Sequence, residues 1–99
     1  MMLVTGELRI APEKLETARP HMRAVIEATR KEPGCILYAF GEDVMDPGLI
    51  RIVERWEDAA SLSAHGKTAH IAAWREKLKE IGVLGRELMK HESHNNTSI

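Results

Sequence analysis

Glu54-Arg55-Trp56-Glu57-Asp58, followed by Leu62, His65, Thr68 and His70, is the stretch of this chain best equipped for chemistry. Two of the five histidines and both tryptophans fall between positions 54 and 74. Histidine titrates near neutral pH, so His65 or His70 could take a proton from a phenol or an activated C–H. Each has a plainer use as well. His65 at a helical C-terminus can interact with the last carbonyls, and His70 in the first turn of the next helix can simply be half-buried. A helix N-terminus favours the neutral imidazole, the form a base requires. Trp56 fills core volume or walls a pocket with its indole N–H open to a ligand. Trp74 packs helix against sheet or lines the same pocket, and Tyr38 and Phe40 are core or lining. Tyr38 brings a hydroxyl that needs a partner if buried.

Metal binding is the rival use of the histidines. Their spacing is five with Gly66 between, whereas ligands three or four apart align on one helical face. The single cysteine, Cys35, is not near enough in sequence to complete a set, so no metal is expected. His91 and His94 lie near the end of the chain and read as solvated. Cys35 follows Gly34 at a strand start and reads as a small buried hydrophobe, with no basic neighbour to lower its pKa. There is no phosphate-binding glycine loop, serine elbow or dinucleotide fingerprint.

The elements that position these residues follow from periodicity. Residues 2–11 alternate apolar and polar, as a half-buried strand does. Ala11-Pro12-Glu13 opens a helix in which Leu15, Ala18, Met22, Val25, Ile26 and Thr29 form one stripe. Pro20 inside it predicts a kink or a late start to the regular part. Pro33-Gly34 ends it. Cys35 to Val44 and Leu49 to Trp56 are strands joined around Asp46-Pro47-Gly48. The hairpin register is open between a pairing of Glu42 with Arg51 and a one-residue slip that puts Tyr38 on the face of Trp56. Asp58 caps a short helix through His65, Thr68 caps another ended by Gly82, and Val83 to His91 is a fourth strand. The order is strand, helix, strand, strand, helix, strand. This is the α+β ferredoxin-like arrangement: a four-stranded antiparallel sheet with two helices on one face. The uncovered face, with Leu, Ile and Val among its residues, predicts a homodimer, sheet against sheet, as a dimeric α/β barrel.

The bulk properties bound what such a domain can do. Ninety-nine residues make one domain, read as 1–91 with a disordered tail over 92–99. A net charge of −1 gives no electrostatic footprint for nucleic acid. Arg19, Arg23, Arg30 and Lys31 interleave with Glu16, Glu27 and Glu32, which reads as a solvated helix face. No apolar run is long enough to span a membrane, and Met1-Met2-Leu3-Val4 is too short for a signal peptide. A cytoplasmic location is the default expectation.

Glu32-Pro33-Gly34-Cys35 with Tyr38, then Glu42-Asp43, Asp46-Pro47, Glu54-Arg55-Trp56-Glu57, and finally Leu62, His65, Thr68 and His70 occur in an order that resembles the antibiotic biosynthesis monooxygenase domain, a family that includes quinol monooxygenases. The likeness covers roughly residues 3–90. It implies the dimeric ferredoxin-like barrel and a cofactor-independent oxygenase acting on quinols, anthrones or related phenols. In that chemistry the protein deprotonates the substrate and the resulting anion reacts with O2. It implies His65 and His70 as catalytic candidates, and Tyr38, Trp56 and Trp74 as candidates to bind a small aromatic substrate. Haem-degrading relatives carry a histidine where this chain has Trp74 and an asparagine in the first strand, where this chain has Thr5-Gly6-Glu7, so haem degradation is not expected. The aromatic usual after the second histidine is Ile71 here. The alternatives are a non-catalytic dimeric ligand-binding or stress-related module of the same fold, and an interaction protein that pairs through its sheet.

Overall fold

The computed structural model describes residues 1–99 and carries the expected order of elements. Strand β1 spans Met2–Ile10, a 3-10 turn spans Pro12–Lys14, and helix α1 spans Leu15–Thr29. Strands β2 (Cys35–Glu42) and β3 (Leu49–Trp56) form the hairpin. Helices α2 (Ala59–His65) and α3 (Ala69–Ile81) lead into β4 (Val83–Glu92). The sheet is antiparallel with order β2-β3-β1-β4, as the ferredoxin-like pattern requires. Helix α1 continues through Pro20, and its regular turns start only after the 3-10 segment. Residues 93–99 contain no helix or strand.

The hairpin register is resolved in favour of the slipped pairing. Tyr38 lies opposite Glu54, Gly41 opposite Arg51, and Glu42 opposite Ile50. Tyr38, Glu54 and Trp56 therefore share the helix-facing side of the sheet. Glu42 turns instead to α1, where its carboxylate accepts two hydrogen bonds from Arg19 at 2.9 Å. A bulge between Cys35 and Leu37 leaves Ile36 out of the pairing and 47% exposed. Ile36 therefore does not share the helix-facing side with Tyr38 and Phe40.

The core lies between sheet and helices. Leu8, Ile10, Ile50 and Ile52 of the sheet pack against Met22 and Val25 of α1 and Ile71, Trp74 and Leu78 of α3. A second cluster, Met2, Tyr38 and Trp56, fills the end where α2 crosses the sheet. The open face of the sheet is more polar than its sequence suggests. Glu7 pairs with Arg51 at 2.8 Å and Thr5 meets His91 at 3.2 Å, among Leu3, Val53 and Met89.

Candidate active site

Local sequence rules place the two histidines. The Asp58 side chain accepts the Ser61 N–H at 2.8 Å and starts α2, which ends at His65. Thr68 then does two jobs with one hydroxyl: it donates to the His65 carbonyl at 2.8 Å and accepts the Ile71 N–H at 3.4 Å. That corner fixes His65 at the end of one helix and His70 in the first turn of the next.

A third residue completes the corner. Glu32, in the turn after α1, accepts from His65 Nδ1 and from His70 Nε2 through a single oxygen, Oε2, at 2.7 Å each. Its side chain is only 10% exposed. The solvated-face reading of Glu32 is therefore wrong. The turn carrying it is pressed against α2: Gly34 sits at φ 82°, its carbonyl accepts the Glu57 N–H at 2.9 Å, and a Cβ there would overlap the Ser61 side chain. Only glycine meets both demands at that position. Arg30 ties the same segment to the sheet by donating to the Tyr38 carbonyl at 3.0 Å.

His65 is the histidine that reaches the cavity. Its ring lies between those of Trp56 and Tyr38, with centroids 4.8 and 5.2 Å away, and it lines a cavity of about 640 Å3 between sheet and helices. That volume suits a small organic ligand. The interior is formed by Val4, Leu8, Phe40, Ile52, Ile71 and Trp74. With Nδ1–H given to Glu32, neutral His65 carries its lone pair on Nε2, as a positioned general base does. His70 does not line the cavity; it lies behind His65, joined to it through Glu32.

The three aromatic candidates separate. Tyr38 and Trp74 line the cavity. Trp56 does not: it is fully buried, and its indole N–H donates to Glu54 Oε1 at 2.9 Å instead of to a ligand. Trp56 supports His65 from behind. Glu54, absent from the sequence-based candidates, is 6% exposed and faces the cavity. Burial pushes its carboxyl pKa up, against the Trp56 hydrogen bond and the charge of His65, which lower it. Burial also pushes the Tyr38 phenol up, with the Glu54 and Glu32 carboxylates adding to the shift, so Tyr38 stays protonated. Burial raises the Cys35 thiol likewise, which disfavours the reactive thiolate. The alternation of β3 onto the Trp56 face was the signal available for Glu54; Glu32 stood in the sequence only as part of the Glu32-Pro33-Gly34-Cys35 piece, with no role attached.

Glu32, His65 and His70 also form a two-histidine, one-carboxylate set, with ligand atoms within 4.8 Å of one another. Sequence spacing disfavours a metal only while His65 and His70 are taken as a pair, and Glu32 removes that objection. The same contacts also suit a proton network. In that network one carboxylate oxygen takes an N–H from each ring, whereas binding a metal would require both nitrogens to be deprotonated.

Known proteins share the fold and much of the sequence pattern. The family model for antibiotic biosynthesis monooxygenases matches residues 1–77. The probable quinol monooxygenase YgiN of Escherichia coli K12 is 30% identical over 80% of this chain and 86% of its own. The uncharacterized protein sll1783 of Synechocystis is 31% identical over 81% of this chain, which spans only 54% of that relative's length. A crystal structure from Deinococcus radiodurans superposes with a TM-score of 0.93 at 26% identity, covering 100% of this chain and 98% of that one. With the fold and these likenesses in agreement, the chain belongs to the antibiotic biosynthesis monooxygenase family.

Proposed function

We propose that this protein is a cofactor-independent monooxygenase that oxidises a quinol, anthrone or similar phenol with O2. The observation that carries the reading is His65: a cavity-lining imidazole whose Nδ1–H is held by the buried Glu32 carboxylate. His65 Nε2 takes the phenolic proton, and Glu32 steadies the imidazolium that results. The electron-rich anion then reduces O2. For a quinol, one oxygen atom enters the ring to give a hydroxyquinone, and the other leaves as water with the substrate's hydrogens. All four electrons come from the substrate, so no external reductant is consumed. The apolar walls exclude water from the anion and its oxygen adduct. His70 is a positioning residue in this scheme, since it shares Glu32 and does not touch the cavity.

Membership of a family whose relatives include a probable quinol monooxygenase supports the oxygenase class, and the apolar cavity supports a ring-bearing substrate. The test is oxygen uptake with a panel of benzo- and naphthohydroquinones in chelator-treated buffer under 18O2. Label in the product ring at the expense of one O2 per turnover is expected. Saturable binding, seen by quenching of Trp74 fluorescence, with no oxygen uptake across the panel would point instead to a ligand-binding module.

We further propose that the open sheet face, including Leu3, Val53 and Met89, closes against a second copy of the chain. Light scattering at micromolar concentration is expected to give twice the monomer mass, and a monomer would refute the pairing.

A further inference from the structure

The cavity is not uniformly apolar. Arg75 and Lys79 of α3 and Arg86 and Lys90 of β4 line it, and all four are exposed, so they stand at its mouth. Their placement follows from the two local periods. On α3, Arg75 and Lys79 are four apart and flank the buried stripe of Ile71, Trp74 and Leu78. On β4, Arg86 and Lys90 alternate with Leu88 on the helix-facing side, opposite Leu8, Val4 and Gly6 of β1 respectively.

Positive charge outweighs negative charge in the lining of this cavity. The whole chain has 14 basic and 15 acidic residues, yet the cavity has four cations against one carboxylate, Glu54. Of the six arginines elsewhere, three are ion-paired: Arg9 with Asp46, Arg19 with Glu42 and Arg51 with Glu7. At the mouth only Lys79 has an acidic partner, Glu76 at 3.0 Å. Arg75, Arg86 and Lys90 have no carboxylate within ion-pair distance, and Glu54 turns its carboxylate to the Trp56 N–H. Unpaired cations at the rim of an apolar cavity match a ligand with an apolar body and an anionic end.

We infer that the substrate carries an anionic group, a carboxylate or a phosphate ester, which Arg86 and Lys90, joined by Arg75, hold at the mouth while the ring system lies inside against Trp74 and His65. This refines the substrate class and rests on the cavity being the substrate site. It also gives the cavity a direction. The anion anchors at the β4 side, so the ring end is the part presented to His65.

The experiment is a calorimetric comparison of three ligands with one ring system: 1-naphthol, 1-naphthoate and 1-naphthyl phosphate. The protein is expected to bind at least one anion roughly tenfold or more tighter than 1-naphthol, with the preference shrinking as salt is raised. Which anion binds tighter assigns the carboxylate or the phosphate. The double variant Arg86→Gln, Lys90→Gln alters only exposed side chains and is expected to abolish the preference while leaving 1-naphthol binding unchanged. Equal or weaker binding of both anions by the wild type, or a preference that survives the double variant, would overturn the inference. Because the readout is binding, it stands apart from the oxygenase reading: a neutral hydroquinone can still be turned over if the anion site fails, and the anions can still bind if oxygen uptake fails.

Discussion

The two ends of the cavity are built on opposite principles. At the α2–α3 corner, polar groups are few, buried and paired: Glu32 with both histidines, Glu54 with Trp56, Thr68 with the His65 carbonyl. At the β4 side, charged groups are exposed and three of the four lack an ionic partner. The buried end can hold one protonation state and one ring orientation, which is what proton transfer demands. The exposed end can adapt its long side chains to a ligand, which is what capture demands. On the proposed reading, chemistry and recognition are separated along one cavity.

Damage at the buried end is expected to be the most severe. Trp56→Ala removes the fully buried wall behind His65 and the partner of Glu54, and is expected to cost about 3–5 kcal/mol in urea unfolding. A loss below about 1 kcal/mol would show that the corner is not tightly packed. Glu32→Gln keeps the shape but weakens the hold on both rings. A fall of about 10- to 100-fold in kcat is expected, with KM little changed, because Glu32 orients the base without touching substrate. Gly34→Ala forces a side chain into a positive-φ position against Ser61, and a stability loss of about 1–3 kcal/mol is expected from thermal melts. Chelator treatment is expected to leave oxygen uptake unchanged if Glu32, His65 and His70 act as a proton network, and loss of activity restored by one added divalent metal would recast them as ligands.

The smallest effect is a pH dependence. The folded-state pKa of Glu54 is raised above its ordinary value near 4.5. Its contribution to stability is therefore complete below that value and is lost as pH rises through the higher folded-state pKa. Glu54→Gln keeps an acceptor for the Trp56 N–H and removes the titration. Its unfolding free energy is expected to fall less than that of the wild type as pH rises from acid to neutral. Parallel curves for the two proteins would mean that burial does not perturb Glu54.

Local signals made most of the architecture legible. Alternation marked β1, Ile and Val content marked β3, the spacing of Leu15, Ala18, Met22 and Val25 marked α1, and Asp58 and Thr68 marked the helix starts that position the histidines. What stayed hidden depends on contacts distant in sequence. Glu32 lies 33 residues before His65, and among the neighbouring charges of α1 its sequence looks like a solvated face. The hairpin register could not be decided because both faces of β2 are apolar and either slip buries similar area. Trp56 stayed open between core filler and pocket wall, and the structure buries it, since composition does not reveal which way an indole N–H points. The cationic mouth was invisible as a group because its members come from a helix and a strand whose adjacency only the fold creates.

We assign the role of base to His65, held by Glu32. The most direct test is the rate of oxygen uptake by His65→Ala, and by His65→Gln as the more conservative change, against wild type at saturating hydroquinone, with folding checked by circular dichroism. Loss of about 100-fold or more in kcat, with Trp74 still reporting ligand binding, is predicted. A folded His65 variant that turns over at the wild-type rate would contradict the assignment.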